Sequence, residues 1–211
     1  MERAISLSEE QIKDAMNYQE YLDLLDELMA SSKTTGDNHS EEMLNYTKMN
    51  IQRMKRLNKT VVLNEELQKA LDRVFAGDFN PQTWVLITEA WCGDAAQNLP
   101  LINKIAESCD KIQLKLVLRD ENLTLMDQFL TNGGRSIPKL IVLDSGTLKV
   151  KGSWGPRPEN AQEMVMNFKK IPNGDYSEFV KEVQLWYARD KTQSQQNEFA
   201  EKLQLWFPAK Q

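Results

Sequence analysis

The chain lacks most of what would tie a small fold together covalently or hold a metal. Its 211 residues include two cysteines and one histidine. Two cysteines make no disulfide framework. A single histidine excludes His-rich metal sites and most Cys-His catalytic pairs, so neither a metal nor a cofactor is expected. His39 follows the polar run Ser31-Ser32-Lys33-Thr34-Thr35-Gly36-Asp37-Asn38 and reads as a loop residue. Long apolar runs are missing too. None approaches the roughly 18 residues that cross a bilayer, and Met1-Glu2-Arg3-Ala4 opens no apolar core of secretory length. The expected location is the cytoplasm, where thiols stay reduced. Positive charge is not in excess. Lys plus Arg is 26 against 31 for Asp plus Glu, a formal charge of −5. An acidic chain without a concentrated basic arm is a poor nucleic-acid binder. The locally basic stretch from Lys48 to Lys59 reads as a solvated helix face.

What is present supports a globular core, with 41% hydrophobic and 27% charged residues. Ser8-Glu9-Glu10-Gln11 has the form of a capping box. Ile12, Ala15, Met16, Leu22, Leu25 and Met29 follow at helical spacing, which predicts one helix from about Ser8 to Ala30. Ser40 caps a second helix, with Leu44, Thr47, Ile51, Met54 and Leu57 on one face. Asn64 caps a third, with Leu67, Leu71, Val74 and Phe75 inward.

The texture then changes. Trp84-Val85-Leu86-Ile87 is a short apolar run, the mark of a strand buried on both faces. A helix from about Cys92 to Glu107 follows. Ile112–Leu118 is the second strand, Asn122 caps a helix to about Leu130, and Lys139–Leu143 is the third strand. Asp144-Ser145-Gly146 turns the chain into Thr147–Lys151, an alternating half-buried strand. The loop Ser153–Pro158 leads into a helix ending near Lys170. The order α-β-α-β-α-β-β-α argues for an α/β sheet whose last pair is antiparallel. From Ser177 a last helical stretch carries two apolar stripes, Phe179-Val183-Trp186-Tyr187 and Phe199-Leu203-Trp206. The second stripe either packs within the chain or contacts another copy.

Cys92 sits between a buried strand and the first turn of a helix. Unpaired amides and the positive end of the helix dipole favour an anion there. A thiol so placed loses its proton more readily, and the thiolate is the nucleophile. The plainer alternative is an inert buried cysteine.

Trp91-Cys92-Gly93 after that strand, with Pro100 inside the next helix, resembles the active-site segment of the thioredoxin family. Ser136-Ile137-Pro138-Lys139-Leu140 resembles its cis-proline loop, and Gly155 stands where that family has a glycine. The Trp154-Gly155-Pro156-Arg157-Pro158 run is similar to a bacterial branch with helical extensions. The resemblance implies an α/β thioredoxin-like fold: a mixed sheet of about four strands flanked by helices, with additional N- and C-terminal helices. It implies a domain over residues 61–172, an N-terminal helical extension over 1–60 and a C-terminal one over 173–211.

The same resemblance implies Cys92 as the catalytic residue. It implies Trp91, Gly93, Asp94, Ile137, Pro138 and Gly155 as the residues around a bound substrate. Arg119, Arg135 and Arg157 fall at the edge of the fold that carries the cysteine, where they are expected to lower the thiol pKa. Asp94 and Glu89 oppose them.

Two departures limit the analogy. Ala95 replaces the second cysteine, and Leu86 replaces the buried acid. Cys109 lies 17 positions on, roughly 25 Å along one helix, too far to resolve a disulfide. The expected function is thiol-disulfide exchange through a single cysteine, resolved by an external thiol. The partner would be a disulfide-containing protein or a low-molecular-weight thiol. The alternative is a redox-inactive binding module on the same fold. A single-cysteine peroxidase is a third reading, which the spacing of Thr88 to Cys92 does not favour.

Overall fold

The computed structural model describes residues 5–208. Met1-Glu2-Arg3-Ala4 therefore lies outside the described residues. The helices are α1 (Tyr18–Ala30), α2 (Glu41–Thr60), α3 (Glu65–Ala76), α4 (Gly93–Glu107), α5 (Leu123–Met126), α6 (Glu159–Phe168), α7 (Tyr176–Asp190) and α8 (Gln193–Trp206). The strands are β1 (Gln82–Thr88), β2 (Ile112–Leu118), β3 (Lys139–Asp144) and β4 (Val150–Trp154). They form one mixed sheet in the order β2-β1-β3-β4. β1 runs parallel to β2 and antiparallel to β3, with Leu86 opposite both Leu116 and Leu140. The fold is thioredoxin-like α/β with extra helices.

Period-two alternation splits the strands between two cores. Trp84, Leu86, Leu114, Leu116, Leu140 and Val142 join one cluster with residues of α1 to α4 and α8. Val85, Ile87, Val117, Ile141 and Leu143 join the other with Leu7, Ile12, Met126 and Phe129. Cys92 belongs to this second cluster.

The first expected helix divides. Ser8 does form its capping box, but over a three-residue 3-10 turn, Glu9–Gln11. The chain then runs extended. Met16 exchanges two backbone hydrogen bonds with Leu116, at 2.9 and 2.7 Å, on the outer side of β2. Further back, Ile5 and Leu7 pair with Val150 and Leu148. One arm thus bonds to the outer strand at each side of the sheet and leaves less unpaired backbone exposed. A helical pattern cannot distinguish this, because Leu7 and Ile12 point to the core either way. A second cap, Asn17, accepts from the Glu20 amide at 3.0 Å and starts α1.

Other differences are local. The helix after Asn122 is a single turn, and β4 begins at Val150 rather than Thr147. Phe75 is exposed rather than inward. The last helical stretch breaks at Lys191 and Thr192, both left-handed, into α7 and α8. The Phe199-Leu203-Trp206 stripe is buried within the chain. Phe199 and Trp206 each approach Trp84, with ring centroids 5.8 and 5.5 Å away.

Candidate functional site at the start of helix α4

The turn from β1 into α4 is held from outside. The Ala90 amide donates to Thr35 Oγ1 at 2.9 Å, and Asn50 Nδ2 of α2 donates to the Ala90 carbonyl at 2.9 Å. Glu89 is buried, and its Oε1 accepts from the Asp120 amide at 2.8 Å. Burial pushes its carboxyl above the usual range. The N-terminal helices are therefore part of the support of the site. Nothing in the Trp-Cys-Gly motif announces Asn50 or Thr35. The only signal was two polar residues whose side chains the core would have to satisfy.

Cys92 caps α4. Its Sγ accepts from the Ala95 amide at 3.4 Å and donates to the Ile137 carbonyl at 3.3 Å. The Ile137–Pro138 peptide is cis, as is Gly155–Pro156. Gly155 sits at φ +105°, and a Cβ there would lie 2.3 Å from the Pro138 carbonyl oxygen. Only glycine fits that left-handed, close-packed position. The motifs far apart in sequence, residues 91–94, 136–138 and 155–157, thus converge on one place.

The expected thiolate does not follow. Cys92 is 8% exposed. Burial, then the negative charge of Asp94, push its thiol up to about 12. The Ala95 amide and Arg157 act in the opposite sense and do not compensate. The Ile137 carbonyl can only accept, so the 3.3 Å contact also suits the protonated sulfur. The dipole argument holds for the direction of one contribution and fails for the sum.

The three arginines divide. Arg157 Nη2 binds Asp94 Oδ2 at 2.6 Å, with both side chains largely buried. Of the three, Arg157 alone appears among the groups acting on the Cys92 thiol. Arg119 lies over the Trp91 ring, 4.8 Å from its centre, and pairs with Asp120 at 2.7 Å. Arg135 makes two bonds to Asp127, at 2.6 and 2.8 Å, on the surface. The expectation that all three lower the thiol pKa is corrected: proximity to the edge of a fold is not proximity to the sulfur.

Asp94 is the centre of a network that the motif did not reveal. Tyr187 Oη of α7 donates to its Oδ1 at 2.9 Å, and Asn98 Nδ2 donates to Tyr187 Oη at 3.0 Å. Burial raises the Asp94 carboxyl despite Arg157. Gln97 Nε2 donates to Gln184 Oε1 of α7 at 2.8 Å. The Gln184 amide nitrogen lies 3.0 Å from where a Gly93 Cβ would stand. Arg53 of α2 is 3.5 Å from the same point. Among the described residues no three His, Cys, Asp or Glu side chains come together as metal ligands. Cys109 is buried at 1% exposure, at the other end of α4, and is not part of the site.

A cysteine at the head of a helix, facing a proline loop at the end of a four-stranded mixed sheet, defines the thioredoxin-like class. The thioredoxin family pattern matches residues 36–170, and the chain belongs to that family. The match begins before the expected boundary at residue 61 and takes in α2, which carries Asn50, while Thr35 stands one residue before its start. Among solved structures, a Pseudomonas aeruginosa protein of unknown function is similar, with a TM-score of 0.60 and 14% identity over 93% of this chain and 96% of that one. An HIV epitope-scaffold is similar at TM-score 0.51 and 15% identity, over 88% of this chain and 96% of its own. At these identities the likeness is one of fold. No curated protein matches the chain.

Proposed function

We propose that the protein is a monothiol exchange protein with Cys92 as its nucleophile and an external thiol as its resolving partner. One observation carries this reading: the sulfur stands 3.3 Å from the Ile137 carbonyl, beside backbone on which an extended peptide can lie. Deprotonated Cys92 attacks a disulfide R–S–S–R′. The new bond joins Cys92 to R–S, the old S–S bond breaks, and R′–S⁻ leaves and takes up the proton. The thiolate of a second, external thiol then attacks the mixed disulfide at the R sulfur and releases Cys92. Electrons balance, because one disulfide is consumed and one is formed. Ala95 makes the external thiol obligatory, since no second sulfur stands three residues on. Asp94, Trp91, Gly93, Ile137, Pro138 and Gly155 are the residues nearest an entering disulfide, and Arg157 the cation that offsets Asp94.

The raised thiol favours a second reading, a redox-inactive binding module on the same scaffold. Trapping separates the two. Reduced full-length protein is incubated with a disulfide-bonded peptide and analysed by intact mass. The exchange reading expects an adduct on Cys92 that glutathione removes, and none with Cys92→Ser. A wild-type protein that forms no adduct after hours at pH 8 sinks exchange and leaves the binding module. Cys92→Ala should then retain the same partners as wild type.

A further inference from the structure

We propose that α7 is a hinged strap that closes the α4 turn carrying Cys92 and lifts to admit a substrate. The claim deepens the exchange reading by naming how its site is regulated.

Four features of the strap support this. First, its grip on α4 is polar. Tyr187 holds Asp94 and Asn98, and Gln184 holds Gln97 and covers Gly93. Such bonds exchange readily for bonds to water, so opening costs much less than exposing an equal apolar face. Second, the apolar side of α7 has a small core of its own. Phe179, Val183 and Tyr187 cluster with Val165, and with Met164, Phe168 and Trp186 at its margin, apart from both sheet cores. Phe168 stacks on Phe179 with centroids 4.1 Å apart. This core moves as a unit with α6, or parts from it, without opening the sheet.

Third, both ends of α7 are jointed. Asn173 precedes it at φ 56°, and Lys191 and Thr192 follow at φ 51° and 67°. Two consecutive left-handed residues without glycine, one of them β-branched, end a helix abruptly. They turn the chain between α7 and α8, where the contact is again polar, Ser194 donating from its amide and hydroxyl to Asp190, and α8 is built into the main core. Fourth, the strap meets the residues that set the state of Cys92. Lifting it removes the Tyr187 bond from Asp94 and opens the Asp94–Arg157 pair to water. Gly93, against which the Gln184 amide stands, then faces solvent one residue from Cys92.

The test reads access and not exchange, so it stands or falls separately from the proposed chemistry. Cys92 in the full-length protein is alkylated with iodoacetamide at pH 8 and followed by peptide mass, with Cys109 as the internal control. Gln184→Ala combined with Tyr187→Phe is expected to speed Cys92 modification roughly tenfold, from two lost hydrogen bonds, and to leave Cys109 unchanged. An unchanged Cys92 rate overturns the proposal, and so does an equal rise at Cys109, which marks general loosening. Hydrogen exchange of the wild-type protein gives an independent reading. Amides of α7 should exchange by local opening well before those of α8, and exchange of both helices together overturns the strap.

Discussion

Helices α7 and α8 follow one another in the chain, are of similar length and look alike in sequence, yet they are anchored differently. α8 places Phe199, Leu203 and Trp206 in the main core, each at most 4% exposed. Its two ends are tied to α3. Asn64 donates from its amide to Gln196 Oε1 at 2.6 Å, and Arg73 donates to the carbonyls of Leu203 and Phe207, each at 3.2 Å. A cation on the last carbonyls satisfies groups that a helix end leaves free. α7 has a separate cluster and a polar grip on the site. α8 packs its stripe into the sheet core, whereas α7 packs its own against α6. What decides is whether the stripe reaches the sheet.

The contrast is open to measurement. The largest effect is expected from truncating α8. Phe199→Ala should lower the free energy of unfolding by roughly 3–5 kcal/mol in urea denaturation. Phe179→Ala in α7 should cost less than half of that, because local opening limits what the global transition feels. Equal losses would make α7 as integral as α8.

Next in size is Gly155→Ala, beside the site. It forces a Cβ into the Pro138 carbonyl at an unfavourable φ, and roughly 2 kcal/mol or more should be lost. Circular dichroism melting checks it, and an unchanged melting temperature would contradict the packing described.

The pH dependence of Cys92 comes third. With its thiol held near 12, the alkylation rate should climb about tenfold per unit from pH 7 to 10 without levelling. Asp94→Asn removes the negative charge that raises the thiol, so its profile should level off at lower pH. The sign follows from charge alone: less repulsion stabilises the thiolate. A wild-type plateau near pH 8.5 would show that Cys92 feels neither burial nor Asp94. The smallest effect should come from the outer faces. Leu185→Ser on α7 and Leu205→Ser on α8 both change exposed positions, and each should shift stability by no more than about 0.5 kcal/mol.

Much of the fold was legible in the chain. The caps Ser40 and Asn64, the buried runs of β1 and β3 and the break at Gly77 are local chemistry, and local chemistry is what a sequence displays. The motif residues of the site were legible for the same reason, since Trp91-Cys92-Gly93, Ile137-Pro138 and Gly155 are short and distinctive. The segment from Ser8 to Met16 reads as the start of a helix, because its apolar spacing fits a helix as well as an extended strap. Phe75 was placed inward by the same periodicity, although no partner waits at that position. The state of Cys92 was misjudged because a helix dipole is local, whereas desolvation is the sum of everything packed around the sulfur. Tyr187 and Gln184 were out of reach, lying about 90 residues along the chain from the groups they hold.

The chain alone was enough for the caps, the buried strands, the place of the thiol at the head of its helix and the lack of a second cysteine three residues on. Those properties depend on neighbours a few positions away. Folding alone set that burial first and Asp94 second hold the thiol up against Arg157, and that one of two consecutive helices lies over the site. Charge, burial and closure are set by groups distant in the chain and adjacent in space, and their balance exists only once the molecule has folded.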